Sequence, residues 1–294
     1  MKIYIASSEN HLGKIQEDIY IRDAFISKGI PSEIVTLKDI VKNSKPYDVV
    51  ILKSIWGYHL NYKEFLLQIS TIKKKRVKLI NDYDFIRWNI HKYKYLNEIK
   101  DINVIPTYHL DIKQAQTALD IRNAISKASR NFNVKKLVIK PSISESGYLT
   151  YVYNANQENE KVVDSLRLNK HLDFIIQPFR PSIVKGEISV IINNGKPIYG
   201  VTRFPGVLGS KKDTGYLNLA SISSSIIKTV SILEEFFLKK FGTLPNICRV
   251  DFLENTRDYE ILEVELIDPD LFFRYIPVRM RKKAISTLVD TFSK

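Results

Sequence analysis

Apolar positions in the first part of the chain switch between two periods. Lys2 to Ala6 is a short run of strand type, and Lys14 to Ser27 repeats apolar residues at helical spacing through Ile15, Ile19 and Ile26. Gly29-Ile30-Pro31 stops that helix, and Ser32 to Leu37 reads as a second strand. Tyr47 to Leu52 is a near-continuous apolar run, the pattern of a strand covered on both faces. A helix from Tyr62 to about Lys73 and a strand from Val77 to Ile80 follow. Strands alternating with helices at this spacing predict a small parallel α/β domain.

The pattern then changes. Trp88 to Lys100 and Ile112 to Ser126 have helical spacing, and Leu137 to Pro141 is a strand ending at proline. Three further strands, Phe174–Phe179, Gly186–Ile192 and Pro197–Thr202, succeed one another without helices, so they predict antiparallel pairing. Asn193-Asn194-Gly195 lies between the last two and carries the Asn-Gly signal of a tight hairpin. A helix from Ser223 to Phe241 leads to a second hairpin, Asn246–Glu254 with Tyr259–Ile267. The expected organisation is an α/β domain over 1–88, then two α+β subdomains over 89–180 and 181–294.

Composition narrows the function classes. At 294 residues, 44% hydrophobic and 26% charged, the chain is long enough for a shared core of several subdomains. No apolar run approaches the roughly 20 residues that span a bilayer, so no membrane partner is expected. Met1 to Ile5 enters a strand pattern directly, which reads as no leader and a cytoplasmic protein. The single Cys248 excludes an internal disulfide and a multi-cysteine zinc site. A net charge of +13 attracts anions, whether nucleotide, acidic metabolite or nucleic acid. Only Lys73–Arg76, at a helix end where cations complement the dipole, and Arg279–Lys283, opening the last helix, are tight clusters. Nucleic acid is therefore the lesser expectation.

Chemistry concentrates in the second hairpin. Strand alternation puts Arg249 and Asp251 on one face, and Glu263 and Glu265 on one face of the partner strand. The connection through Asn255-Thr256-Arg257-Asp258 brings Asp251 close to Glu263. Facing carboxylates repel, and a cation between them relieves that repulsion. Hard oxygen ligands suit Mg²⁺, which keeps waters and shares substrate phosphates. Alternatively, Arg249 neutralises one carboxylate and the others are solvated. Lys140, ending a strand, precedes the hydroxyl-rich Pro141-Ser142-Ile143-Ser144-Glu145-Ser146-Gly147, which could cover phosphates with backbone N–H groups. Neither a Walker-type loop nor G-x-G-x-x-G occurs, which argues against P-loop and Rossmann nucleotide binding. The metalloprotease H-E-x-x-H and the G-x-S-x-G elbow are missing too.

Taken in order, Val138-Ile139-Lys140-Pro141, Ile175-Ile176-Gln177-Pro178-Phe179, Gly186-Glu187-Ile188-Ser189, Arg249-x-Asp251 and Glu263-x-Glu265 resemble the ATP-grasp superfamily. Ser54-x-Trp56-x-Tyr58, Trp88-Asn89-x-x-Lys92 with Tyr95-Leu96, and Glu263-x-Glu265-Leu-Ile-x-Pro269-x-Leu271-Phe272 are similar to its ring-closing ligases of cycloserine biosynthesis. The chain also resembles the glutathione-synthetase-like members. The likeness runs from about residue 45 to 275. It implies an ATP-grasp fold behind an N-terminal parallel α/β (pre-ATP-grasp) domain, with the later subdomains clasping Mg·ATP.

The resemblance also implies roles. Lys92 and Lys140 would contact ATP phosphates, Gln177, Pro178 and Phe179 would hold adenine through backbone groups, and Glu187 would serve the ribose side. Asp251, Glu263 and Glu265 would ligate Mg²⁺ (or Mn²⁺), and Arg249 would steady phosphates or an acyl phosphate. Trp56 and Tyr58 would face the acceptor, although aromatics near a strand end also serve as packing. The implied reaction is ATP-dependent C–N ligation, or ring closure, of a small carboxylate, amino-acid-like or peptide substrate, releasing ADP and phosphate. Asp251→Ala or Glu263→Ala is expected to remove turnover and leave the fold intact. A homodimer stays open. Alternative readings are an ATP-grasp kinase and a non-catalytic nucleic-acid binder using 279–283.

Three departures from the family pattern stand out. The loop after Lys140 is poor in glycine. The segment Phe204 to Gly215 lacks an arginine–glutamine motif, for which Arg203, Lys211 or Lys212 would substitute. Trp-Asn spacing selects Lys92 as the first lysine, whereas Tyr-Leu spacing selects Lys94.

Overall fold

The computed structural model describes residues 1–115, 117–157, 159–204, 215–256 and 258–292. Lys211 and Lys212, with most of the 204–215 segment, lie outside the described residues, as does Arg257 of the hairpin connection. The chain divides into two compact units, one made of 1–90 with 182–294 and the other of 91–181. The stretches at the two ends of the chain therefore fold as one body.

The first unit opens with β1 (Ile3–Ala6), α1 (Gln16–Ser27), β2 (Ser32–Val35), α2 (Leu37–Asn43), β3 (Val49–Leu52), α3 (Tyr62–Lys74), β4 (Lys78–Ile80) and α4 (Tyr83–Asn89). The strands form a parallel sheet in the order β2-β1-β3-β4. Strands β1 and β3 are buried along their whole length, as continuous apolar runs require. The short helix α2 escapes the periodicity reading because seven residues hold barely two turns. Its start is set locally by Thr36, whose hydroxyl accepts the Asp39 amide at 3.2 Å.

The second unit runs α5 (Lys92–Glu98), β5 (Tyr108–Leu110), α6 (Ala118–Phe132), β6 (Lys136–Pro141), β7 (Tyr151–Asn154), α7 (Glu160–Leu168) and β8 (Phe174–Pro178). Its sheet, β5-β8-β6-β7, is antiparallel. Helices α6 and α7 bury Ile121, Ile125, Val163 and Leu166 with Leu137, Ile139 and Ile176 of the sheet. The sequence predicts one helix over 88–100, but α4 and α5 are separate elements. The Lys92 amide donates to Ser142 O at 2.8 Å and that of Tyr93 to Ser142 Oγ at 3.1 Å, so α5 starts on a loop instead of extending a preceding turn. The next helix begins at 118 and not 112. Thr117 and Asp120 form a capping box there, and Ile112 is buried outside any helix.

The first unit resumes with β9 (Glu187–Asn193), β10 (Lys196–Arg203), β11 (Gly215–Leu217), α8 (Ser224–Phe241), β12 (Ile247–Asn255), β13 (Asp258–Glu265) and α9 (Val278–Phe292). The five strands are antiparallel in the order β11-β10-β9-β12-β13. Asn194 (φ 44°) and Gly195 (φ 76°) both take the left-handed backbone that the tight β9–β10 turn demands. Helix α9 buries Ala284, Leu288, Val289 and Phe292 in one cluster with Ile3, Ile5, Ile21 and Phe25. The end of the chain thus completes the core under the N-terminal sheet. Within the basic cluster, Arg281 lies over the Tyr20 ring at 4.6 Å and serves that packing. Among the described residues, no helix is long and apolar enough to cross a membrane.

Candidate functional site

The second hairpin forms in the expected register. Asp251 pairs with Glu263 and Arg249 with Glu265, and on the other side Asp251 lies opposite Ser189 of β9. One step further, Glu187 of β9 pairs with Arg203 of β10. The period of two therefore gathers Glu187, Ser189, Arg203, Arg249, Asp251, Glu263 and Glu265 on one face. Directly after Asp251 the register shifts, so that Phe252 opposes Ile261. This irregularity bends the strand just beyond the carboxylates.

Asp251, with a 3% exposed side chain, is the hub. Arg249 Nε donates to its two oxygens at 3.0 and 3.2 Å, and Arg249 Nη2 to Oδ2 at 3.1 Å. Arg203 Nη2 reaches Oδ2 at 3.2 Å, and Ser189 Oγ donates to Oδ1 at 2.6 Å while accepting from Arg203 Nε at 2.9 Å. Arg203 also pairs with Glu187. Burial alone would raise the Asp251 pKa, but Arg249 and Arg203 outweigh it and hold the carboxyl below its ordinary value. Glu187 goes the other way. Burial pushes it up to about 7, with Arg203 opposing and the Asp251 charge adding to the rise. Burial would weaken the Arg249 charge, yet Asp251 and Glu265 raise its pKa further.

An aromatic ring underlies the guanidinium groups. Phe272, at φ 56°, carries Arg203 at 5.0 Å, Arg274 at 5.5 Å and Arg249 at 5.6 Å from its ring centre. Asp270 accepts the Phe272 amide at 2.9 Å and binds Arg274 through both oxygens at 2.7 and 3.0 Å. Two buried asparagines fix the hairpin from its apolar side. Asn81 donates to Ile247 O and Leu266 O at 2.7 and 2.8 Å, and Asn89 donates to Val264 O at 2.8 Å. Ser189, Phe272 and Asn89 all stand inside the motifs quoted from the sequence, but nothing local assigned them these tasks. Asn81 belongs to no motif.

In the second unit, Lys92 is buried and donates to Ser144 O at 2.5 Å, whereas Lys94 is exposed. Lys140 is half-buried near the end of β6. The loop after it takes left-handed backbone at Ser146 (φ 49°), Gly147 (φ 73°) and Leu149 (φ 47°), so side-chain-bearing residues occupy conformations that glycine would favour. Gln177 is buried and donates to Thr107 Oγ1 at 3.0 Å. The Phe179 amide donates to Lys136 O at 2.9 Å and its ring lies under Lys136 Nζ at 4.0 Å. That amide is committed to the sheet.

Tyr58, with Ser7, Thr36, Asn61, Glu64 and Gln68, lines a cleft of about 300 Å³. The cleft lies beyond the C-terminal ends of β1, β2 and β3, where parallel α/β sheets bind ligands. Trp56, 37% exposed, is edge-on to His11 at 4.7 Å. Trp88 is half-buried and packs against Phe236, Phe237 and Phe241, a packing role.

Asp251, Glu263 and Glu265 offer hard oxygen donors at adjacent register positions, the chemistry that Mg²⁺ favours. In the present arrangement Asp251 is bound by arginines, Glu265 Oε1 accepts the Ile267 amide at 2.8 Å, and no group of three metal-type side chains among the described residues is arranged around a common point. The donor type fits Mg²⁺, while the present arrangement commits the Asp251 carboxylate to Arg249, Arg203 and Ser189.

The fold, a parallel N-terminal sheet followed by antiparallel sheets, is similar to that of solved ATP-grasp proteins. Among solved structures, the chain is similar to D-cycloserine synthetase DcsG (TM-score 0.78, 16% identity, 98% of this chain and 100% of that one). It is also similar to the D-alanine–D-alanine ligase of Bacillus anthracis (TM-score 0.67, 14% identity, 100% and 96%). A third likeness is to the ATP-grasp ligase PsnB, solved with its minimal precursor, Mg and ADP (TM-score 0.64, 11% identity, 99% and 98%). Residues 3–81 match the family described as the N-terminal domain of D-cycloserine synthetase DcsG. No curated protein matches the chain by sequence.

Proposed function

We propose that the protein is an ATP-dependent ligase joining a carboxyl or carbamoyl carbon to an amine nitrogen. The observation that carries the proposal is the register of β12 and β13, which lines up Arg249, Asp251, Glu263 and Glu265 on one face of an ATP-grasp fold. Solved proteins of that fold have been crystallised with ATP, or with Mg and ADP. Asp251, Glu263 and Glu265 would hold Mg²⁺, which when bound supplies neutralisation of phosphate charge. Arg249 and Arg203, beside Asp251 on the same face, would face the transferring phosphoryl group. The residue roles we propose are Lys92 and Lys140 toward phosphate oxygens, the 177–179 backbone toward adenine, and Glu187 toward the ribose.

The γ-phosphoryl group passes to a carboxyl oxygen and ADP leaves. The amine then attacks the activated carbon, the C–O bond to phosphate breaks, and the nitrogen loses a proton. Positioned charge is the main requirement for the first step. Tyr58 and the cleft beside it are the proposed acceptor side, with room for a substrate of amino-acid size.

Calorimetric binding of a non-hydrolysable ATP analogue, with and without Mg²⁺, to wild type and Glu263→Gln tests the site. Metal-dependent binding that the substitution weakens about tenfold supports it, and no binding to folded wild type overturns it. With substrates, phosphate release that requires both an acid and an amine identifies a ligase. ADP formation without phosphate release would assign a kinase.

A further inference from the structure

Far from the hairpin in sequence, α1 and the end of β3 contribute a buried ion pair. Lys53 Nζ and Glu17 Oε1 are 2.5 Å apart, with side chains 6% and 8% exposed. Both partners spend their remaining bonds on one segment. Lys53 donates to Pro269 O at 2.5 Å, while Glu17 accepts the Leu271 amide at 3.0 Å and the Phe273 amide at 3.4 Å. Tyr199, fully buried on β10, donates its hydroxyl to Leu271 O at 2.5 Å. The segment so held, 269–273, carries Phe272, the ring under Arg203, Arg249 and Arg274.

Burying two charges costs several kcal/mol each before their attraction is counted, so an ion pair is a poor device for stability alone. A pair whose other bonds all go to one backbone segment fixes that segment in space. We infer that Glu17 and Lys53 are positioning residues: they set the place of Phe272 and, through its ring, the aim of Arg203 and Arg249. The inference rests on the ligase reading for its chemical consequence, but the tether itself is independent of that reading. Without it, 269–273 keeps the Tyr199 bond and the Asp270 turn, and the ring is free to shift under the arginines. Phosphoryl transfer is sensitive to such misplacement.

The test replaces the pair by apolar groups of similar volume, Glu17→Leu with Lys53→Met, in an Asp18→Asn background compared with Asp18→Asn alone, because the Lys53 charge also faces Asp18. Hydrogen exchange over 268–276 reads the tether without any activity. We expect the amides of Leu271 and Phe273 to exchange at least tenfold faster while those of β12 and β13 keep wild-type rates. In turnover, kcat should fall about tenfold or more with KM for ATP within twofold, whereas Lys53→Arg, which keeps charge and reach, should restore most of kcat. A merely structural pair would lower the melting temperature and the active fraction, with no exchange change confined to 268–276. Wild-type exchange and wild-type kcat in the double variant overturn the inference. Should the double variant not fold, Glu17→Gln is read in the same two ways, and wild-type values in both overturn it. Failure of wild type to bind Mg-nucleotide overturns the ligase reading instead, and exchange still decides the tether.

Discussion

The two units hold their cationic side chains by different means. In the first, the cations are arginines fixed before any ligand arrives: Arg249 and Arg203 lie over Phe272 and grip Asp251, which accepts bonds from three side chains. In the second, Lys140 is followed by a loop whose shape comes from backbone, with left-handed residues at 146, 147 and 149 and a buried lysine holding Ser144 O. Guanidinium groups on a β-ladder are rigid and pre-aimed, whereas a loop tied at a few points can move over a ligand. The sheet side therefore holds its charges by side-chain bonds, and the loop side by a few backbone ties.

Breaking the sheet side gives the largest effect. From sequence alone, Asp251→Ala is expected to spare the fold. Burial of the carboxylate changes that expectation, because its removal strands Arg249, Arg203 and Ser189 around an uncompensated site. Removing one partner of a buried pair costs about 3–5 kcal/mol. Chemical denaturation should show a loss of that order together with loss of turnover. Glu263→Gln should weaken metal-dependent binding about tenfold with a denaturation midpoint close to wild type, so the contrast between the two variants separates structural from ligand-directed charge. Equal stability of Asp251→Ala and wild type would show that the arginines find other partners.

A second buried acid in the same unit sharpens the point, because no guanidinium bonds to it. Asp18, fully buried in the first turn of α1, has its pKa raised to about 6, chiefly by burial, with the Lys53 charge only partly compensating. The folded state thus holds the Asp18 proton more tightly than the unfolded chain does. Its favourable contribution is complete below the unfolded value of 3.8 and is lost as pH rises through about 6. That swing amounts to about 3 kcal/mol. Asp18→Asn should remove this component of the pH dependence and stabilise the protein at pH 8, measured by urea midpoints from pH 4 to 8. An unchanged pH profile would place the Asp18 carboxyl in a better solvated setting than its burial suggests.

Local pattern carried much of this architecture. Continuous apolar runs marked β1 and β3, Asn194-Gly195 marked a hairpin, and alternation alone put Arg249, Asp251, Glu263 and Glu265 on one face. Features that depend on distant partners left no such trace. Glu17 and Leu271 are 254 positions apart, and the register shift after Asp251 has no composition signal. Ile112 extends the apolar period and so draws the expected start of α6 to 112, while the Thr117–Asp120 box, which decides the start, is a polar signal. Ser189 and Phe272 sat within recognised motifs, but their bonds to Asp251 and beneath the arginines required the tertiary ladder.

The loop side yields the smallest and most selective effect. Two motif spacings point to different lysines, and helix α5 separates them. Lys92 lies three and four positions before the buried Tyr95 and Leu96, which puts it on the inward face, while Lys94 points to solvent. Lys92→Met keeps the aliphatic stem and removes the charge and the bond to Ser144 O. Calorimetry with the Mg-nucleotide analogue should show about tenfold weaker binding, roughly 1.4 kcal/mol, and backbone amides over 142–149 should exchange faster. Lys94→Met should bind within about twofold of wild type and leave that exchange unchanged. The reverse ranking would transfer the phosphate role to Lys94. It would also mean that the buried lysine only shapes the loop, bringing the second unit closer to the fixed, structural use of charge seen around Asp251.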